Sequence, residues 1–218
     1  MLFDMQALSA DNRYKVLAAT ITPRPIAWIT TLSRSGIVNA APFSFFNMMG
    51  NDPPTIAIGI IPGKGGLKDT AANILETGEF VVNLVSEANA EAMNLTCIDA
   101  PPEIDELELA GLTAEPSHSV APPRILESPV SLECRVLTSL VTGPFQTIVI
   151  GRVICAHVDD RFVKDASRCY IDTQALQLVA RMHGSGGYIR STDLFQLERP
   201  TWADWHAAHS EGDSKSNR

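Results

Sequence analysis

The sequence lacks the marks of several large protein classes. Its opening, Met1-Leu2-Phe3-Asp4-Met5-Gln6, has no basic stretch followed by an apolar run, so a secretory signal is not expected. The apolar runs near Thr55–Ile61 and Thr147–Ile150 fall far short of the roughly 20 residues that cross a bilayer. Cysteine is scarce, and Cys97, Cys134, Cys155 and Cys169 are widely spread with no C-x-x-C. That spacing argues against a disulfide frame or a zinc site and fits buried thiols in a reducing, cytoplasmic setting. Basic charge is short as well, 17 Lys plus Arg against 25 Asp plus Glu, for a formal net charge of -8. A chain this acidic exerts no long-range pull on a phosphate backbone, so neither nucleic acid nor a membrane surface is expected as a partner. Any anionic ligand has to be held by local donors.

Familiar catalytic signatures are missing too. Gly59-Ile60-Ile61-Pro62-Gly63-Lys64 is one residue short of a P-loop and lacks the Ser or Thr that would hold magnesium. Gly63-Lys64-Gly65-Gly66 does not have the spacing of a dinucleotide fingerprint. His183-Gly184-Ser185-Gly186-Gly187 has the look of an oxyanion loop, but no G-x-S-x-G elbow accompanies it. His206 and His209 sit three apart without a third ligand, and no metal site is expected.

What is present is a chain of 218 residues, 45% hydrophobic and 19% charged, enough for one sizeable core. Most of it reads as strand. A helix is expected at Ser9–Ala18, then strands at Ile26–Thr31 and Ile37–Ala40 joined by the turn Ser33-Arg34-Ser35-Gly36. Strands Phe43–Met49 and Thr55–Ile61 flank the turn Asn51-Asp52-Pro53-Pro54. A helix at Asp69–Thr77 ends at Gly78, a strand follows at Glu79–Val85, and another helix at Glu87–Leu95. Long strands occupy Val130–Leu140 and Thr147–Val158. The Pro-rich stretch at 100–129 reads as a surface excursion with one short acidic helix, Glu103–Ala110, inside a single domain spanning 1–206. The segment 207–218 reads as a frayed tail. Strands in mostly adjacent antiparallel order predict a closed or half-closed barrel with helices at its rim.

Three segments are polar where a β-rich core should be apolar. Pro23-Arg24-Pro25-Ile26-Ala27-Trp28-Ile29-Thr30-Thr31 presents Trp28 and a Thr pair on a proline-fixed backbone. Asn39-Ala40-Ala41-Pro42-Phe43-Ser44-Phe45-Phe46-Asn47 combines small residues, which let a flat ligand approach, with hydrogen-bonding Ser44 and Asn47. In Leu67-Lys68-Asp69-Thr70-Ala71-Ala72-Asn73-Ile74 a lysine precedes a helix whose free amides and dipole favour an anion. Each has a plainer explanation: Thr30 and Thr31 as strand formers, Ser44 and Asn47 as turn or bulge residues, Asp69 or Thr70 as an N-cap. Together they describe one site for a phosphate and a flat ring.

These same strings, with Asp52-Pro53-Pro54, Gly78-Glu79-Phe80-Val81-Val82-Asn83, Pro129-Val130-Ser131-Leu132-Glu133-Cys134 and Ile150-Gly151-Arg152-Val153, resemble the flavin reductase-like family from about Arg13 to Pro200. The excursion at 100–129 looks like its flavoredoxin-type branch. The resemblance implies a mainly β, six-stranded antiparallel Greek-key split barrel with peripheral helices, and a homodimer with FMN at its interface. By motif, Ser44 and its loop, Thr30 or Thr31, Lys68 and Thr70 would surround the phosphate, with Phe45 and Asp69 in the same segments. Asn47 and Trp28 would lie near the ribityl chain or ring, and Arg24 would add a second positive charge. His183 and Tyr188, in a Gly-rich segment, are candidates for contact with the nicotinamide or the flavin face. The implied activity is hydride transfer from NAD(P)H to flavin N5, with reduced flavin supplied to a flavin-dependent monooxygenase or another electron acceptor. The alternative is a flavoredoxin-like FMN electron carrier or sensor. No essential acid–base residue is nominated.

Overall fold

Alternating burial sets out the strands. The computed structural model describes residues 1–63, 65–144, 146–184 and 186–209. Helix α1 (Ala10–Thr20), capped by the Ser9 side chain, leads into β1 (Arg24–Pro25), β2 (Ala27–Leu32), β3 (Val38–Phe43), β4 (Phe46–Asn51) and β5 (Pro54–Ile60). Helix α2 (Asp69–Thr77), β6 (Glu79–Leu84), α3 (Ala90–Leu95) and α4 (Glu106–Leu109) follow, then β7 (Ala114–Glu115) and β8 (Arg124–Ile125). The chain finishes with β9 (Val130–Gly143), β10 (Gln146–Val158), β11 (Val163–Asp165), β12 (Tyr170–Ile171), β13 (Val179–Arg181), β14 (Tyr188–Arg190) and α5 (Trp202–His209).

Seven strands, one more than the six expected, form an antiparallel sheet ordered β3-β2-β6-β9-β10-β5-β4. The order itself requires closure. Strands β3 and β4 lie at opposite edges, yet only Ser44 and Phe45 separate them in the chain. A sheet whose edges are joined by two residues has to curl until those edges meet, because two residues span only about 7 Å. Beside this seam the Phe45 carbonyl accepts the Gly59 N–H at 2.7 Å. The result is a barrel split between β3 and β4.

Period-two alternation sorts the side chains into two layers. One cluster joins Ala27, Ile29, Ile56, Ile58, Phe80, Val82 and Val149 with Ala71 and Ile74 of α2, which plugs the barrel. The other joins Trp28, Ala40, Met93, Leu107 and Ile125 beneath α3, α4 and β8. Where β10 bulges at Ile150/Gly151, a Cβ on Gly151 would sit 2.6 Å from the Phe80 ring of β6, so glycine makes room for that ring. Helix α2 has the expected bounds and stops at Gly78, which takes φ 74° and donates its N–H to the Ile74 carbonyl at 2.9 Å.

The structure revises three expectations. Glu87–Leu95 is not one helix but a 3-10 turn at Glu87–Asn89 followed by α3. The excursion is not confined to the surface: Glu106, Leu107 and Ile125 are buried, and α4, shorter than the expected Glu103–Ala110, is capped by Asp105 accepting from Leu107 N–H at 2.8 Å. Proline-rich composition signals irregular backbone, not exposure. Residues 207–209 complete α5, on which Trp205 stacks against Trp202 and His209, and 210–218 of the expected tail lie outside the described residues. Among the described residues no helix is long and apolar enough to cross a membrane.

Candidate functional site

Helix α2 begins without a side-chain cap. Lys68 occupies the N-cap position, so neither Asp69 nor Thr70 is the cap. The first intrahelical bond runs from Ala72 N–H to the Lys68 carbonyl at 2.9 Å. The amides of Asp69, Thr70 and Ala71 therefore face forward with no intrahelical acceptor, and the helix dipole adds partial positive charge there. The half-buried Lys68 ammonium makes no hydrogen bond or ion pair among the described residues. Behind these groups lies a buried neutral net. Asn39 Nδ2 donates to Thr70 Oγ1 at 2.8 Å and to Thr31 Oγ1 at 3.4 Å, and Asn73 Nδ2 donates to Thr31 at 3.0 Å. A threonine hydroxyl that accepts from an amide still has its own proton to give, and Thr70 is on the cavity wall.

That cavity measures about 590 Å³ and is walled by Asn39, Ala41, Pro42, Lys68, Asp69, Thr70, Cys97, Asp99 and Glu106 among others. Glu106 is 6% exposed, and its Oε2 accepts the Ala40 N–H at 2.9 Å. Burial pushes its carboxyl above the usual range, against the pull of that hydrogen bond, and the Asp105 and Asp69 carboxylates push the same way. Burial likewise raises the Cys97 thiol, with Arg181 and Lys68 opposing.

A second cavity, of about 440 Å³, lies at the seam, lined by Arg24, Ser44, Phe45 and Asn47 with apolar Leu17, Ile21 and Ile148. Arg24 is not a free charge within it. Its Nη1 donates to the Ala18 and Ile21 carbonyls, both at 2.8 Å, its Nη2 to the Met182 carbonyl at 2.5 Å, and its Nε to Ser44 Oγ at 3.4 Å. The guanidinium thus closes the C-terminal end of α1, where the dipole is negative, and ties it to the Gly-rich segment after β13. In this arrangement the guanidinium is a buried strut between these segments, on the wall of the seam cavity.

The expected constellation is therefore divided. Lys68, Asp69 and Thr70 share the polar cavity, while Arg24, Ser44, Phe45 and Asn47 share the seam cavity. The two touch along one run of chain, Ala41 and Pro42 walling the first and Ser44 and Phe45 the second. Thr31 is two hydrogen bonds behind Thr70 by way of Asn39. Trp28 and Thr30 reach neither cavity. Alternation along β2 turns both to the outer layer, where Trp28 Nε1 donates to Thr96 Oγ1 at 3.0 Å and Thr30 Oγ1 to the Pro123 carbonyl at 2.5 Å. His183 lines a separate recess with Tyr14 and Lys15, and Tyr188 lies 4.7 Å beneath the Arg181 guanidinium. Ser185, between them, lies outside the described residues. Sequence reasoning missed Glu106: nothing local separates it from Glu103 or Glu108, and its partner Ala40 is 66 residues away.

Residues 19–177 match the model of the flavin reductase like domain. The chain belongs to the flavin reductase-like family. An uncharacterized protein of Deinococcus radiodurans is 41% identical over 221 residues, covering 97% of this chain and 96% of that protein. The structure of nitrilotriacetate monooxygenase component B from Bacillus cereus superposes with a TM-score of 0.85 at 31% identity, covering 90% of this chain and 98% of the other. That of the 2-nitrobenzoate 2-nitroreductase NbaA from Pseudomonas fluorescens gives 0.84 at 33% identity, covering 93% and 98%. The cofactor of this flavin reductase-like protein is accordingly a flavin, and its seven-stranded barrel is the split barrel of the family.

Proposed function

We propose that this protein is an NAD(P)H-dependent flavin reductase that holds FMN by its phosphate at the start of α2. The carrying observation is the uncapped α2 terminus beside Lys68, which has no ion pair among the described residues, on a polar cavity. Net charge -8 gives an anion no general attraction, so a compact set of donors such as this one is what a phosphate requires. The residues fit the group in size as well: about 590 Å³ lies within the range of small-molecule sites, and the small Ala41 opens a route along β3 towards the seam.

When bound, the flavin would supply the redox chemistry of hydride transfer from NAD(P)H. The chain supplies position and electrostatics. Lys68, the first amides of α2 and Thr70 bind and orient the phosphate. Ser44 and Asn47 would offer hydrogen bonds to a ring held at the seam, and Phe45, Leu17 and Ile21 would keep water from it. A second copy of the chain covers the seam cavity, where Phe45 and Met49 are exposed, and so completes the site as a homodimer. In this reading the chain would hand the flavin to a partner monooxygenase, which the likeness to a monooxygenase component B supports. A second reading keeps the flavin bound and passes its electrons to another acceptor, as in a flavoredoxin-like carrier. The likeness to a 2-nitroreductase favours it.

Steady-state oxidation of NADH and NADPH with added FMN, at catalytic protein concentration, tests the proposal. Turnover well above the flavin-only control is expected. A retained yellow cofactor without such turnover selects the second reading, and no flavin absorbance even after FMN addition overturns both.

A further inference from the structure

Glu106 is the carboxylate that the polar cavity cannot hide. Among the described residues it is the one carboxylate on that wall that is deeply buried, since Asp69 is half-buried and Asp99 exposed. Oε2 accepts the Ala40 N–H, Oε1 makes no hydrogen bond to another of the described residues, and the Glu106 side chain lines the cavity. The charged and titratable groups around it come from each neighbouring element. Lys68 and Asp69 stand at the start of α2, Asp105 precedes α4, and Cys97 and Asp99 lie in the 96–100 segment, with Arg181 of β13 near Cys97. Strand β3 contributes the neutral Asn39 and the Ala40 amide. Of these two cations among the described residues, Lys68 lines the cavity itself.

This arrangement sets a conflict for the ligand proposed above, on whose placement the inference rests. A phosphate monoester carries close to two negative charges at neutral pH, and Lys68 offsets one of them. A further ionised carboxylate in the same cavity repels the ligand by an amount on the order of tenfold or more in affinity. Protonation removes the repulsion and turns the carboxyl into a hydrogen-bond donor. We infer that Glu106 makes this cavity charge-selective and proton-linked: a dianionic phosphate monoester enters with a proton on the Glu106 carboxyl, and an unphosphorylated flavin is free of that condition. The proton comes from solvent and stays on the carboxyl oxygen that faces the ligand. Burial pushes the Glu106 carboxyl above its usual range, the direction that favours taking up this proton.

The test compares wild type with Glu106→Gln, whose side-chain oxygen still accepts from Ala40, for FMN and for riboflavin between pH 5.5 and 8.5. The phosphate's own ionisation is common to both proteins, so the ratio of their affinities isolates the carboxyl. For FMN, Glu106→Gln is expected to bind about tenfold more tightly than wild type at pH 8.5 and equally at pH 5.5. For riboflavin the ratio stays within about twofold throughout. Calorimetry on wild type in two buffers of different ionisation enthalpy counts protons directly, whether or not the variant folds. At pH 7.5, FMN binding takes up about half a proton and riboflavin binding none. A pH-independent FMN ratio, or no proton uptake, overturns the inference while leaving flavin binding intact. If wild type binds neither flavin, the reading of the site fails and this inference goes with it.

Discussion

Lys68 at the start of α2 and Arg24 in β1 are both cations beside candidate ligand cavities, and the fold uses them in opposite ways. Lys68 is half-buried with no ion pair among the described residues, whereas Arg24 is 6% exposed with three carbonyls and Ser44 around its guanidinium. The carboxylates divide likewise. Glu133, fully buried on β9, accepts from His118 N–H at 2.7 Å, Ser119 N–H at 2.6 Å and His157 Nε2 at 2.6 Å, while Glu106 keeps one oxygen for the cavity. A charge closed into backbone hydrogen bonds belongs to the fold. A charge left open beside a cavity is available to a ligand.

The comparison breaks if the two kinds of charge respond alike to removal. The largest effect is expected from Arg24→Met, which strands the carbonyls of Ala18, Ile21 and Met182. Each charge-assisted bond is worth about 1.5–3 kcal/mol, and after partial rehydration a net loss of about 3 kcal/mol should appear in the urea midpoint. A variant as stable as wild type with weakened flavin binding would return Arg24 to the ligand.

Glu133→Gln comes next, at about 2 kcal/mol, because an amide turns N–H groups towards donors. The pH profile sharpens this case. Burial pushes the Glu133 carboxyl up, but its hydrogen bonds from His118, His157 and Ser119 outweigh that, leaving it below the usual range. A carboxyl lowered in the folded state contributes stability above its unfolded value of about 4.3 and loses it as pH falls through the folded value. Wild type should therefore weaken on acidification below about pH 5, and Glu133→Gln should lack that part of the slope.

Lys68→Ala should leave the urea midpoint within about 0.5 kcal/mol of wild type. Its FMN dissociation constant, by fluorescence titration, should rise about 30-fold, or about 2 kcal/mol. Unfolding in place of lost affinity would invert the comparison.

The parts of this site that depend on local signals were legible from residues alone. Helix α2 could be bounded because Gly78 is the left-handed stop, and the hairpins because Ser33–Gly36 and Asn51–Pro54 are turn chemistry. Lys68 was legible for the same reason: its position before a helix is a local fact. What could not be read is which face of a strand meets the ligand. Period two separates Trp28 and Thr30 from Ile29 and Thr31, but it does not name the side that faces a cavity. Nor could composition show that Arg24 finds its carbonyl partners on α1 and beyond β13, or that Glu106 reaches back to β3. Those contacts exist only once distant segments are packed together.

The two-residue link at the seam also governs where this chain tolerates a change of length. Ser44 and Phe45 alone carry it from one edge of the sheet to the other, so one inserted residue there would let β3 and β4 drift apart and widen the mouth of the barrel. The run between β6 and β9 already accommodates two helices and a short hairpin, and its exposed turns could grow without moving the barrel. Insertions made to reshape the ligand opening therefore belong in that long run, and deletions have no room at all beside Ser44.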